Sequence, residues 1–428
     1  MQQNDGNLIA AVDIGTTKVC TVIAEVHDQE INVIGVGWQE NTGVSKGSIN
    51  NIAETTEAIK KSVQKAEDMA KSKIDMVLAS ISGKHIMGMK GHGEIALSNQ
   101  RQKEITEDDK RRAMEGATSV RMSQERETLH VVPIQYIVDA QDEIDDPLGM
   151  TGMKLEVDAY MITGSLTAID NVKKVVERAG YGCENIILQG LASAHAVLYP
   201  DEKDVGVLLL DIGGGTTDIS LYYRKSLRFV RVIPVGGQFI TNDIVQGLQT
   251  PKSVAELLKR KYGLLESDNP AQVDSMGLSI NMPEEFIEVP DMGSSRVEKV
   301  DRKMLAKFIK PRVQELIRFV EEELKKEGID RAMYAGGVVL TGGTSLLKGI
   351  DTLFKEEMRL RVRVGAPLKE KIVGLYDIVS SPEWATVIGL IEYYVREHEH
   401  ESPSSPGRGN KGLGGAWAWI KKNILDKL

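Results

Sequence analysis

The sequence predicts an α/β protein built from two related halves around a ligand cleft, and three observations carry that prediction. An apolar strand, a tight polar turn and a return strand occupy residues 8–24. The same layout recurs at residues 205–223, with Asp211 standing 198 residues after Asp13. A third apolar strand, Val338–Leu340, runs directly into the Gly-rich turn Thr341-Gly342-Gly343-Thr344-Ser345. Duplication on this scale points to two similar α/β units facing each other. Strand tips carrying Gly-rich turns are where open α/β sheets bind ligands.

Length and composition bound the reading. A chain of 428 residues exceeds one ordinary core and predicts about two to four domains. Its hydrophobic content of 41% and charged content of 27% are those of a soluble globular protein. The net charge of −9 favours solubility and argues against a nucleic-acid partner, which calls for a basic face. Cys20 and Cys183 cannot build a disulfide framework and have no Cys or His at metal-ligand spacing. They read as buried thiols in a reducing cytosol. The N-terminus, with Asp5 ahead of a short apolar strand, does not read as a signal peptide, and no stretch approaches the ~20 apolar residues that span a bilayer.

Along the chain, strands Leu8–Val12, Val19–Ala24 and Ile31–Gly37 precede a helix over 52–71 and a further apolar run, Met76–Ile81. Residues 85–163 differ in character, being rich in Gly, Met and charge, and read as an inserted small domain with a polar helix over 106–119. The helix 166–178 closes on Gly180, which suits the left-handed position after a helix end. The second unit follows, and then another inserted block at 231–329. That block holds a helix over 254–262 and an amphipathic pair of helices around 304–326, with Pro311 predicting a break or kink between them. The predicted division is 1–84 with 164–200 as one half and 201–230 with 330–398 as the other. The inserts are 85–163 and 231–329, and a Pro/Ser/Gly-rich tether, 399–412, leads to a terminal helix at 413–428.

The turns carry the chemistry. There is no Walker A sequence, so the phosphate device expected here is a tight β-turn whose backbone N–H groups face the ligand. Glycine admits that approach and small threonine hydroxyls add donors. Gly15, Thr16 and Thr17 fit this role in the first turn, and Gly213, Gly214, Gly215, Thr216 and Thr217 in the second. Lys18 supplies a point charge for the β- or γ-phosphate of ATP. Asp13 and Asp211, at strand tips, suit a hydrated Mg²⁺ ion, which keeps several waters and takes one or two carboxylates. Gly342, Gly343 and Thr344 offer a further backbone approach, to the α-phosphate or adenosine.

These three motifs resemble the phosphate 1, phosphate 2 and adenosine motifs of the actin, Hsp70 and sugar-kinase superfamily. Within it the chain resembles the bacterial FtsA family of cell-division proteins over essentially its full length. The stretch Asp146-Pro147-Leu148-Gly149-Met150-Thr151-Gly152-Met153-Lys154-Leu155-Glu156 is similar to part of that family's distinctive inserted domain. Lys310-Pro311-Arg312-Val313-Gln314-Glu315-Leu316, Tyr262-Gly263 and a tether ending in an amphipathic helix are similar as well. The resemblance implies an actin-like fold of two ribonuclease-H-like halves around a nucleotide cleft. It places Glu256 and Lys259 at the ribose, although the same spacing is that of an ordinary helical i,i+3 ion pair. Gln189 stands where actin has a water-positioning glutamine, and a buried amide satisfied by backbone is the other reading. No catalytic base is assigned.

The tail has its own signature. At 100° per residue, Leu413, Trp417, Ile420, Ile424 and Leu428 fall within about 80° of one another, with Leu425 at the edge of that stripe. From Lys411 onward the side-chain charge sums to +3, against −9 for the whole chain. A basic amphipathic helix with tryptophan suits the headgroup region of anionic membrane lipids. Docking of the helix on the body or on a partner is the alternative, and the long tether argues against it.

The resemblance therefore implies an ATP-binding scaffold, with at most slow hydrolysis, that forms a homopolymer on the cytoplasmic face of the membrane at the division septum. Its partners would be other division proteins and the tubulin-like FtsZ, whose C-terminal peptide would meet the second insert with Arg312 as a contact. A pilus-assembly actin-like protein lacking the tethered helix is one alternative. A small-molecule kinase with an Asp base, for which no motif is present, is another. An Hsp70-like chaperone needs a further folded domain, for which the residues beyond 400 are too few.

Overall fold

The structure, a computed structural model, describes residues 7–27, 30–98, 101–265, 272–273, 279–280, 286–290, 292 and 297–398. The tether and the amphipathic stripe at 413–428 lie outside the described residues.

Two sheets repeat one plan. In the first, Asn7–Ile14, Lys18–His27 and Glu30–Glu40 form an antiparallel meander, Met76–Ile81 adds parallel to the first strand, and Gly182–Leu188 adds beyond it. In the second, Val207–Ile212, Thr217–Tyr223 and Ser226–Ile233 form the meander, with Val338–Thr341 and Val362–Val364 parallel beyond it. The central strand Val207-Leu-Leu-Leu-Asp-Ile is buried throughout, as expected of a strand covered on both faces. Strand order and direction match between the halves, so both predicted turns fall at equivalent sheet tips.

One boundary needs correction. Residues 330–398 do not all belong to the second half. Strand Ile372–Gly374 pairs in parallel with Glu30–Glu40 at the edge of the first sheet. Helix Ala385–His398 packs against helix Gln189–Val197 and strand Asn7–Ile14, and its Val387, Ile388 and Leu390 join the first half's core. Its apolar residues showed burial but not against which sheet, because both halves present the same kind of surface.

A second correction concerns Pro311. The amphipathic stretch is one helix, Lys303–Lys326, with the proline inside it. Leu305, Ile309, Val313, Leu316, Ile317, Val320 and Leu324 form a continuous buried stripe across the proline. Burial along that whole face outweighs the loss of one backbone donor. Gly180 caps its helix as predicted, in the left-handed region at φ 99°.

The insert at 85–163 forms a four-stranded antiparallel sheet, ordered Gln141–Ile144, Arg126–Val138, Lys154–Ser165, Met87–Ala96. Helix Glu107–Thr118 covers one face, begun by a capping box between Thr106 and Asp109. Beyond that small core the insert touches the second half. The Val230 N–H donates to Tyr160 Oη at 3.0 Å, and Ser226 Oγ donates to the Ile134 carbonyl at 3.0 Å. Of the two cysteines Cys20 is buried, as expected, whereas Cys183 is only partly so, because it lies on an edge strand of the first sheet.

Candidate functional site

The three turns converge. A cavity of about 280 Å³ between the halves is lined by Asp13, Gly15, Thr16, Thr17 and Lys18 from the first turn and Asp211, Gly213, Gly214 and Thr216 from the second. Gly342, Gly343 and Thr344 line it from the third, and Gln189, Glu256 and Lys259 complete the set. Of the cleft residues expected from the sequence, two are absent from this lining: Thr217, whose Oγ1 donates to the Val235 carbonyl at 2.8 Å, and Gly215. Its role is steric instead. A Cβ there would stand 2.4 Å from Thr16 Oγ1, and one on Gly214 would stand 2.5 Å from Thr17 Cγ2. The second turn is glycine-rich partly because the first turn presses against it.

Each turn is closed internally. Gly15 N–H donates to the Lys18 carbonyl at 3.0 Å, and Gly213 N–H to the Thr216 carbonyl at 2.9 Å. Thr344 Oγ1 donates to the Gly213 carbonyl at 2.9 Å, which ties the third turn to the second. The third turn does not run straight into an α-helix. It makes a 3-10 turn, Gly343–Leu346, and the α-helix begins at Ile350. Gly342, at φ 82°, turns the chain away before a regular helix can form.

The aspartates are held by hydroxyls and an amide. Asp13 accepts from Ser80 Oγ at 2.7 Å and from Gln189 Nε2 at 2.9 Å. Gln189 also donates to Ser80 Oγ at 3.1 Å, so its amide is satisfied by side chains rather than by backbone. Asp211 accepts from Ser193 Oγ and from Thr386 Oγ1, the latter at 3.0 Å. Ser82, from the first half, donates to the Asp218 carboxylate of the second, 2.8 Å from each oxygen. Burial pushes Asp13 up to about 6, with the Asp211 charge adding to the rise, and burial raises Asp211 as well. Asp218 is raised well above its ordinary value by burial and then by Asp211. Of the three, Asp13 and Asp211 line the cavity, and two carboxylates whose ionised forms are penalised there favour a cation beside them.

Glu256 and Lys259 are both a helical pair and cleft residues. Their charged atoms lie 2.7 Å apart, and Lys259 Nζ also donates to the Gly237 carbonyl at 3.1 Å and to Thr241 Oγ1 at 2.9 Å. Lys18 Nζ contacts Glu383 Oε2 at 2.8 Å. Arg312 lies elsewhere, in a shallow hollow between helices Gly237–Leu248 and Lys303–Lys326. It makes a two-pronged contact with Asp243, at 2.7 and 2.8 Å, and pairs with Glu315. It is thus an anchored side chain rather than a freely solvated charge.

Sequence reasoning missed Ser80, Ser82, Ser193, Asp218, Arg260, Glu383 and Thr386. A signal existed for two of them: Ser80 and Ser82 alternate at the end of an apolar strand, so they share a face. Asp218 supports a prediction. A carboxyl whose pKa is raised by folding contributes stability that is present below its unfolded value and lost as pH rises through the folded one. Asp218→Asn is therefore expected to raise the melting temperature at pH 8, with the gain shrinking towards pH 5. Thermal melts across that range check it, and a pH-independent difference would refute it.

Among known proteins, the family described as "Cell division protein FtsA" matches residues 208–389, and "SHS2 domain inserted in FTSA" matches residues 83–163. The cell division protein FtsA of Neisseria meningitidis serogroup B is 40% identical over 384 residues, which are 90% of this chain and 89% of that protein. Among solved structures, a PilM-PilN type IV pilus biogenesis complex aligns with a TM-score of 0.61 at 16% identity, over 89% of this chain and 97% of that one. MreB5 of Spiroplasma citri bound to ADP aligns with a TM-score of 0.54 at 14% identity, over 93% of this chain and 99% of that one. The duplicated actin-like fold is shared with both.

Proposed function

Since the chain belongs to the FtsA family of cell-division proteins, we propose that it is an ATP-binding, filament-forming scaffold that holds FtsZ to the membrane at the division site. The observation that carries the nucleotide reading is the convergence of three Gly-rich turns on one cavity between the halves. The donor set fits MgATP. Lys18, Lys259 and Arg260 bring positive charge, the threonine hydroxyls bring donors, and Asp13 and Asp211 stand ready for a hydrated cation. Gly15, Thr16, Thr17 and Lys18 would take one end of the polyphosphate and Gly213, Gly214 and Thr216 the other, with Gly215 leaving room for the first turn. Gly342, Gly343 and Thr344 would face the adenosine, with Glu256 and Lys259 at the ribose. The relative MreB5, of the same fold, binds ADP.

Bound nucleotide would join turns that belong to different halves and so favour the closed, polymer-competent state. Turnover is expected to be slow: Gln189, the one residue considered for positioning water, is committed to Asp13 and Ser80. The stripe Leu413, Trp417, Ile420, Ile424, Leu425 and Leu428 would anchor the chain to anionic lipids as a peripheral protein. No helix among the described residues is long and apolar enough to cross a membrane. The hollow around Arg312, with Lys307, Phe308 and Arg318 on its walls, would receive FtsZ's C-terminal peptide. The pilus-type reading gives way, because identity to an FtsA is 40% and to the pilus complex 16%.

Calorimetric titration of the full chain with MgATP, together with fluorescence anisotropy of a labelled FtsZ C-terminal peptide, tests this reading. Saturable binding of both is expected, and Arg312→Glu should weaken the peptide by about tenfold or more while leaving ATP binding intact. Absence of ATP binding would remove the nucleotide reading, and absence of peptide binding would remove the adaptor role.

A further inference from the structure

Lys18 is engaged. Its ammonium lies 2.8 Å from Glu383 Oε2 and 5.6 Å above the Trp384 ring, and each partner of the ion pair is only about a quarter exposed (25% and 26%). Glu383 is no distant surface residue. It lines the same cavity as the three turns, and its Cβ lies 4.0 Å from where a Cβ on Gly343 would stand. The segment Pro382–Trp384 is also tied down: the Pro382 carbonyl accepts from Gly342 N–H at 3.2 Å and from Thr341 Oγ1 at 3.4 Å. The segment that carries the carboxylate is thus held against the third turn while the carboxylate itself faces the lysine of the first.

The surrounding charge makes this arrangement consequential. Asp13, Asp211, Glu256 and Glu383 line the cavity against Lys18, Lys259 and Arg260, and Lys259 is already committed to Glu256. An arriving polyphosphate needs Lys18, and a carboxylate already occupies it.

We propose that Glu383 is a built-in competitor for Lys18, an internal carboxylate that must yield the ammonium before a phosphate can take it and that thereby sets nucleotide affinity. This inference rests on the nucleotide reading above and adds a residue that opposes binding. A ligand without phosphates has no claim on Lys18, so the competition is specific to the phosphorylated ligand.

The test is calorimetric titration of the full chain and its Glu383→Gln, Lys18→Met and double variants with MgATP and, as a phosphate-free probe, adenosine. Glu383→Gln keeps the side chain's size and removes its charge. It is expected to tighten MgATP by about threefold to tenfold, the scale of a half-buried ion pair, and to leave adenosine unchanged. In the Lys18→Met background the same substitution should change ATP affinity by less than about twofold, since the competition is gone. Unchanged ATP affinity in Glu383→Gln, with wild type binding normally, overturns the competition and leaves the nucleotide site standing. Weaker MgATP binding in Glu383→Gln overturns it too, because Glu383 would then be assisting the ligand rather than opposing it. Wild type that binds no ATP at all defeats the nucleotide reading and this inference with it.

Discussion

A chain ending at Gly412 is expected to remain in the supernatant under conditions where the full chain, with ATP, pellets with liposomes containing anionic lipid. The truncation removes Leu413, Trp417, Ile420, Ile424, Leu425 and Leu428, the whole apolar stripe, together with Lys421, Lys422 and Lys427. What remains has lost a locally basic segment from a chain of net charge −9, so its surface offers anionic lipid little attraction. One such helix binds reversibly. Joined subunits share many anchors, and avidity of roughly 10² to 10⁴ then separates the two forms. The effect should be near all-or-none in the pelleted fraction. Replacing Trp417 and Ile420 by Glu in the full chain should reproduce it without changing length. Equal pelleting of the full and shortened chains would place the membrane contact elsewhere or nowhere.

Gly342→Ala is expected to cost about 2 to 4 kcal/mol of stability and to weaken MgATP binding by at least about tenfold. Two penalties combine at this residue. Its φ of 82° is a conformation that alanine adopts only under strain. A Cβ there would lie 2.3 Å from Asp211 Oδ1, 2.7 Å from the Ile212 carbonyl oxygen and 2.9 Å from its carbon. Asp211 cannot simply rotate away, because Ser193 and Thr386 both donate to it. Relief must come from moving the third turn off the second, which opens the cavity at the place where the adenosine would sit. Thermal melts and calorimetry measure the two effects separately. A variant that melts like wild type and binds MgATP as tightly would show that the turns do not need this close approach.

Much of this protein was legible because its signals are local. A strand, its turn and its return strand are contiguous, so composition alone exposed both hairpins, and their repetition exposed the duplication. The left-handed cap at Gly180 and the capping threonine of the insert's helix are also written within a few residues. The glycines could be read as well, though with one reason out of two. Close approach of a ligand was foreseeable, whereas the press of Thr16 and Thr17 against Gly215 and Gly214 was not.

By itself, then, the sequence determined the two-half plan, the three turns and the basic amphipathic end, since each is a property of neighbouring residues and their periodicity. The tertiary structure alone decided which groups meet across the cleft. Ser82 finds Asp218 over 136 positions, and Lys18 finds Glu383 over 365. It also decided that the last helix returns to the first half and that Pro311 is carried inside one unbroken helix. The physical reason is the same in each case. Apolar periodicity states that a face must be buried and leaves open against what. The partner is selected by packing and charge pairing between segments that become neighbours only when the two sheets close on their cleft.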